Sequence, residues 1–74
     1  YAADRLLSIG PAAVPELIRA LEGDYGPIRE YAAWILGNMG PDARAAVPAL
    51  TEALWDKDKS VRGTAQRALE NIQR

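Results

Sequence analysis

Few side chains in this sequence of 74 residues could carry out chemistry, because it contains no histidine and no cysteine. Histidine is the commonest general base and the commonest metal ligand in proteins. Ser8 and Ser60 therefore lack the histidine partner that a catalytic serine needs, and the carboxylates are scattered rather than paired for acid–base work. The sequence has neither a carboxylate metal loop nor a glycine-rich phosphate loop. We predict that the protein is not an enzyme and uses no cofactor and no metal ion.

One predicted helix carries aromatic and charged residues of the kinds that dominate binding surfaces. With about 100° between successive residues, Glu30 and Trp34 point away from the partner helix, and Tyr31 and Asn38 flank them. Arg67 is expected to lie beside Trp34 on a neighbouring helix. Tryptophan, tyrosine and arginine are enriched among interface residues that dominate binding energy. We predict that these five residues bind a protein or peptide partner; the alternative is that Trp34 only packs across the seam between adjacent helices.

The composition is that of a single globular domain covering residues 1–74. Hydrophobic residues make up 49% of the chain and charged residues 26%, and the formal net charge is −1, which does not fit a disordered segment or a basic nucleic-acid arm. No apolar run approaches the roughly 18 residues that a membrane span needs. We therefore expect a cytoplasmic protein with neither a nucleic acid nor a membrane as its partner.

Hydrophobic residues recur at helical spacing in five segments, which predicts five helices, at 1–9, 12–22, 27–39, 42–55 and 59–73. The second to fifth of these helices each have a well-defined apolar face. The residues predicted to point inward on these four faces are Val14, Leu17, Ile18, Leu21, Ile28, Ala32, Ile35, Leu36, Met39, Val47, Leu50, Leu54, Val61, Ala65, Ala68, Leu69 and Ile72.

Glycine and proline mark the predicted helix ends. A Gly-Pro pair ends the first helix at Gly10 and the third at Gly40, because glycine adopts the C-terminal conformation and proline cannot continue the helix. Pro48 lies deep in the predicted fourth helix and is expected to bend it. Asp58 is expected to cap the fifth helix. Trp55 ends the fourth helix; local packing is the favoured interpretation, with a second partner contact or a self-association site as alternatives.

The helices repeat along the sequence. The segment with Ile28 and Arg29 matches the segment with Val61 and Arg62 at an offset of 33 residues, and Trp34 corresponds to Arg67 at the same offset. A period of this length made of one helical hairpin is typical of a solenoid. We predict an all-α fold, an α-solenoid of antiparallel helical hairpins with about two and a half repeats. Because Tyr1 lies inside a helical pattern, we expect the chain to be a fragment of a longer solenoid.

The order A-V-P-A-L-x-x-A-L-x-D-x-D-x-x-V-R-x-x-A-x-x-A-L-x-x-I, read over residues 46–72, resembles a HEAT repeat of the HEAT-like type named after phycobilisome lyases, and residues 10–39 form a weaker copy. Armadillo repeats are the alternative, but they use three helices per unit. The resemblance implies that the V-R-x-x-A helix lines a concave surface. It also implies a structural ladder in which Arg62 pairs with Asp56 or Asp58 and Arg29 pairs with Asp24. Alternatively these are solvated turn charges that contribute little.

The resemblance implies a scaffold that binds a protein partner through its concave surface. One alternative is a fragment of a HEAT-like enzyme, such as a bilin lyase. HEAT-like DNA glycosylases need a basic concave face and metal-dependent hydroxylases of this architecture need His-Glu motifs, so both fit this sequence less well. A further alternative is a purely structural or engineered piece that self-associates through uncapped ends.

Overall fold

The computed structural model describes the backbone of residues 10–73 and the side chains of residues 12–73. Four α-helices follow one another: α1 at Val14–Leu21, α2 at Gly26–Met39, α3 at Val47–Ala53 and α4 at Lys59–Ile72. Two 3-10 segments, Gly10–Ala13 and Gly40–Ala46, lead directly into α1 and α3. No strand occurs in residues 10–73, and the prediction of an all-α fold is confirmed. None of the helices in this range is long and apolar enough to cross a membrane.

The predicted count of five helices is wrong. The described residues form three uninterrupted helical runs, at 10–21, 26–53 and 59–72, because the predicted third and fourth helices are joined through the second 3-10 segment without a break. The predicted helix at 1–9 lies outside the described residues.

The second 3-10 segment also corrects the prediction for Pro48. The α-helical geometry begins only at Val47, and Ala43 inside the 3-10 segment has non-helical angles (φ −99°, ψ 21°). Pro48 therefore lies in the first turn of α3, as Pro15 does in α1, where a missing N–H costs nothing. As predicted, α2 ends before Gly40, whose φ of 63° and ψ of −141° suit glycine alone.

The four helices pack in two layers. Helices α2 and α4 lie side by side in one layer, α1 and α3 lie in the other, and each short helix also packs on the long helix that follows it. The connection between α1 and α2 is only four residues long, at 22–25, as in a helical hairpin. The interior between the layers is made of aliphatic and alanine side chains, among which Ile35, Leu36, Leu50, Val61 and Ile72 are large and fully buried.

The burial pattern of α2 differs from the predicted one at its first turn. Ile28 was predicted to face inward, but 51% of it is exposed, whereas its neighbour Arg29 is only 6% exposed. Because α2 contacts both α1 and α4, it buries a wide arc that includes Ala33 and Gly37 as well as Leu36. The last helix, α4, buries a narrow stripe of four residues, Val61, Ala65, Ala68 and Ile72. The other predicted inward residues are buried or pack, half-buried, against the core.

Candidate functional site

The candidate site is the exposed face of α2 together with Arg67 of α4. Trp34 and Arg67 line one pocket between these helices, Glu30 lines a neighbouring groove with Arg67, and Tyr31 and Asn38 contact Trp34 within α2. We call this set, Glu30, Tyr31, Trp34, Asn38 and Arg67, the seam surface. The two helices approach closely because Gly37 has no side chain. A Cβ built on Gly37 would lie 2.8 Å from Cα of Ala68. This contact brings the exposed faces of the two helices into one surface.

Tyr31 and Trp34 form a stacked aromatic pair on α2. Their ring centroids lie 6.0 Å apart with only 3° between the ring planes, which is the parallel-offset arrangement that aromatic pairs favour. The two residues stand at i and i+3, so one helical turn brings them together. Trp34 nevertheless remains 50% exposed and Tyr31 47% exposed. The pair is a flat apolar platform facing solvent.

Two grooves that Arg67 lines complete the seam surface. A pocket of about 150 Å³ lies beside Trp34 and is lined by Ala33, Trp34, Gly37, Thr64, Arg67, Ala68 and Asn71. A more open groove of about 480 Å³ is lined by Glu30, Lys59, Ser60, Gly63, Thr64 and Arg67. Trp34 thus lines the contact between α2 and α4 and also faces solvent. Packing between the helices and binding a partner are therefore both compatible with its position.

The remaining predicted binding residue, Asn38, has an exposed side chain whose amide donates to the carbonyl of Trp34 at 3.0 Å. This hydrogen bond lies within α2 and places Asn38 at the border of the aromatic platform. Asn38 lines neither of the two grooves. Thr64 and Asn71 also line the pocket beside Trp34, although neither was predicted to bind a partner. Their spacing of seven residues on one helix face was the available signal.

A second cluster of polar residues lies around Arg29, in the first turn of α2. Its Nε donates to Oδ2 of Asp56 at 2.8 Å, and its Nη2 donates to Oδ1 of Asp56 and Oδ2 of Asp58, both at 3.1 Å. Its Nη1 donates to the carbonyl of Gly23 at 3.0 Å. This bidentate geometry is the strong form of an arginine–carboxylate pair. The cluster fastens the first turn of α2 to the turn that precedes α4.

The cluster shifts the pKa values of its members in the directions that stabilise the charged forms. The hydrogen bond from Arg29 lowers the pKa of the Asp56 carboxyl below its ordinary value, although burial opposes this shift; the N–H of Asp58, which donates to Asp56, acts in the same direction as Arg29. The same hydrogen bond raises the pKa of Arg29 above its ordinary value. Both groups are therefore charged at neutral pH.

The family described as HEAT repeats matches residues 2–73, nearly the whole chain. The chain belongs to the HEAT repeat family. HEAT repeats are generally protein-interaction scaffolds. No curated protein and no solved structure matches the chain.

In this HEAT repeat chain the polar contacts differ from the predicted ladder in their partners. Arg29 contacts Asp56 and Asp58 of the following turn, not Asp24, because α4 packs on α2 and carries its preceding turn to the start of that helix. Arg62 donates to the backbone carbonyl of Asp56 at 2.6 Å rather than to a carboxylate. Asp58 occupies the N-cap position of α4 but makes no side-chain cap, since its carboxylate accepts from Arg29.

The prediction of local packing for Trp55 is wrong. This residue follows α3 by two positions, where the chain turns away from the core, and 86% of it is exposed. Among the described residues, no group of three Asp, Glu, His or Cys side chains could hold a metal ion.

Proposed function

We propose that this HEAT repeat chain is a non-catalytic interaction module that binds a protein or peptide segment across the seam surface. The observation that carries the proposal is the stacked Tyr31–Trp34 pair, half exposed beside the pocket that Arg67 lines. A partner that covers this platform would remove apolar ring surface from water at about 25 cal/mol per Å². Large rigid side chains also lose little conformational entropy on binding, which suits them to this task.

The two-layer packing supports the further proposal that the helices form a short solenoid whose concave wall is the α2–α4 layer. In such a stack each hairpin contacts its neighbours, and the side chains left at the surface are available for binding. We still predict that the repeats are of the HEAT-like type named after phycobilisome lyases. We also still predict that the protein is cytoplasmic.

The charges of the seam surface favour a protein or peptide over a nucleic acid. Arg67 is accompanied by Glu30 in the same groove, and the whole chain has a formal net charge of −1. Nucleic-acid binding depends on an excess of cations that neutralise phosphates and release counterions. We propose that DNA oligonucleotides do not bind this surface even at low salt, which a fluorescence polarisation titration would test.

The experiment that tests the function uses peptides selected from a random display library on the unaltered chain, with affinities measured by calorimetry. Trp34→Ala should weaken the selected peptides by about 2 kcal/mol or more, the magnitude of an interface hot spot. Tyr25→Ala is the matched control, because Tyr25 is an exposed aromatic residue outside the seam surface. Equal affinity of the Trp34→Ala protein, with its melting temperature unchanged, would show that the platform is not the binding site.

A further inference from the structure

The pocket of about 150 Å³ between α2 and α4 has two walls of different chemistry, and we call it the Trp34 pocket. The indole of Trp34, which is 50% exposed, forms the wall on α2. The wall on α4 is polar and is formed by Thr64, Arg67 and Asn71. The floor is made of three small buried residues, Ala33, Gly37 and Ala68. A ligand that fills this pocket therefore needs a polar side and an apolar side.

The polar wall is suited to a carboxylate. Thr64, Arg67 and Asn71 stand at i, i+3 and i+7 on α4, and at about 100° per residue they point within an arc of about 60°. The guanidinium group only donates hydrogen bonds, and the threonine hydroxyl and the asparagine amide can each donate as well. Among the described residues that line the pocket, Arg67 is the only charged one. A carboxylate supplies the opposite charge and accepts several hydrogen bonds at once.

The apolar wall and the size of the pocket indicate which carboxylate fits. An aspartate or glutamate side chain would bind the polar wall but would bring no aliphatic group against the indole of Trp34. The last residue of a polypeptide carries a carboxylate and a side chain on the same carbon atom, so it can cover both walls. An apolar protein cavity of about 150 Å³ holds a molecule the size of benzene. The pocket thus has room for one terminal residue with an aliphatic side chain.

We propose that the Trp34 pocket binds the free C-terminus of a partner protein that ends in valine, leucine or isoleucine. Arg67 pairs with the terminal carboxylate, and Thr64 and Asn71 donate to its oxygens. The aliphatic side chain lies between the indole of Trp34 and the floor, where its burial stabilises the complex. This inference rests on the function proposed for the seam surface, because it names the part of the partner that is bound there.

The residues that precede the C-terminus have a path along α4. The open groove of about 480 Å³ shares Thr64 and Arg67 with the Trp34 pocket, so the two adjoin. Gly63 lines this groove and has no atom within 4 Å of its Cβ position, which leaves space for a peptide backbone. Ser60 and Asn71 are separated by 11 residues (71 − 60), or about 16 Å of helix. About five extended residues span this length, and they run in the same direction as α4.

The test uses the full chain labelled with ¹⁵N and a pool of synthetic peptides that are randomised at their last five positions and end in a free carboxylate. The tightest peptide is made again with a C-terminal amide, a matched control that removes the charge and keeps every side chain. We expect the acid form to end in an aliphatic residue and to shift the signals of Arg67 Nε–H, the Asn71 amide and the Trp34 indole N–H saturably. The amide form should bind at least about ten-fold more weakly, because the charge-assisted hydrogen bonds are lost.

A second control peptide keeps the carboxylate but moves it. Two glycines added after the last residue should weaken binding as much as the amide does, because the aliphatic side chain and the carboxylate no longer leave the same carbon atom. An extended peptide that binds as tightly as the original would overturn the proposal, since the site would then accept an internal segment.

Substitutions in the protein separate recognition of the carboxylate from general binding. Arg67→Gln should weaken the acid form about ten-fold and leave the affinity of the amide form unchanged. Thr64→Val keeps the shape of the side chain, removes its hydroxyl and should weaken the acid form about three-fold. Arg19→Gln is the control, because Arg19 is an exposed arginine of α1 and lies outside both grooves. It should change the affinity of neither form.

The outcomes distinguish this inference from the function on which it rests. Equal affinities of the acid and amide forms, with binding still lost in Trp34→Ala, would overturn the inference and leave the seam surface as a binding site for internal segments. No saturable shift by the acid peptides up to about 1 mM would overturn the inference, whereas the displayed peptides test the function separately. Equal shifts of the same signals by inorganic phosphate would also overturn it, because the pocket would then bind any anion.

Discussion

At the scale of single residues, Arg29 connects the start of α2 to the turn before α4. A buried charge is costly unless it is paired and hydrogen-bonded, and Arg29 meets this condition through two carboxylates and a backbone carbonyl. The two carboxylates lie 27 and 29 residues further along the chain, so the cluster joins the two hairpins. By contrast, Arg19 and Glu16 form an exposed ion pair, with 3.6 Å between Nη1 and Oε1. Both residues belong to α1, so this pair does not connect α1 to another helix.

Arg29→Gln should therefore destabilise the protein clearly more than Arg19→Gln. The first substitution leaves the carboxylate of Asp56, whose side chain is 12% exposed, without its bidentate partner. We expect a fall in melting temperature of at least about 5 °C for Arg29→Gln and a loss below about 1 kcal/mol for Arg19→Gln. Thermal unfolding followed by circular dichroism measures both. Similar effects of the two substitutions would mean that the cluster contributes no more than a surface ion pair.

The pH dependence of stability should report on Asp56. The folded state lowers the pKa of this carboxyl, so the unfolded chain binds the proton more readily. The stabilisation is complete above the ordinary aspartate pKa of about 4 and is lost as pH falls through the lower, folded-state value. Urea midpoints between pH 6 and pH 2.5 should fall more steeply for the unaltered protein than for Asp56→Asn. Parallel curves for the unaltered protein and Asp56→Asn would contradict the assignment.

At the scale of elements, the contact between α2 and α4 depends on small residues. A Cβ on Gly37 would lie 2.8 Å from Cα and 3.0 Å from Cβ of Ala68, and neither atom can move without the helix that carries it. Gly63, also inside a helix, has no atom within 4 Å of its Cβ position. The same substitution therefore has opposite consequences at the two glycines.

Gly37→Ala should destabilise the protein by about 1 kcal/mol or more, because the overlap outweighs the gain in helix propensity. Gly63→Ala should stabilise it by about 0.5–1 kcal/mol, since only the propensity term acts there. Urea unfolding followed by circular dichroism distinguishes the two signs. A stabilised Gly37→Ala protein would show that α2 and α4 are not in close contact.

At the scale of the whole molecule, the position of a residue in the stack decides how much it contributes to the free energy of unfolding. Leu36 and Leu69 are equivalent in the repeat, but Leu36 is fully buried in a helix packed on two sides, and Leu69 is only half-buried in α4. One core joins all four helices, so we expect a single cooperative transition. A chain of this size is stabilised by only about 4–11 kcal/mol in total.

Leu36→Ala should cost about 2–5 kcal/mol through lost burial and cavity formation, and Leu69→Ala should cost distinctly less. Circular dichroism and tryptophan fluorescence should give coincident urea transitions for both proteins. Separate transitions for the two signals would show that the hairpins unfold independently of each other. Equal losses at the two leucines would show that the difference in burial does not set the cost of the substitution.

The sequence by itself determined the helical class, the 33-residue repeat, the end of α2 at Gly40 and most of the core, because these depend on local spacing and on backbone chemistry. It also placed Trp34, Tyr31 and Arg67 on one surface, since helix periodicity and the repeat fix relative direction. The tertiary structure alone decided that Arg29 is buried while Ile28 is half exposed, and that Arg29 bonds Asp56 and Asp58 rather than Asp24. It also decided that residues 40–46 form 3-10 turns and that Trp55 faces solvent. The physical reason is that a helical pattern specifies which residues share a face, whereas burial and ionic partners depend on which neighbouring helix covers that face.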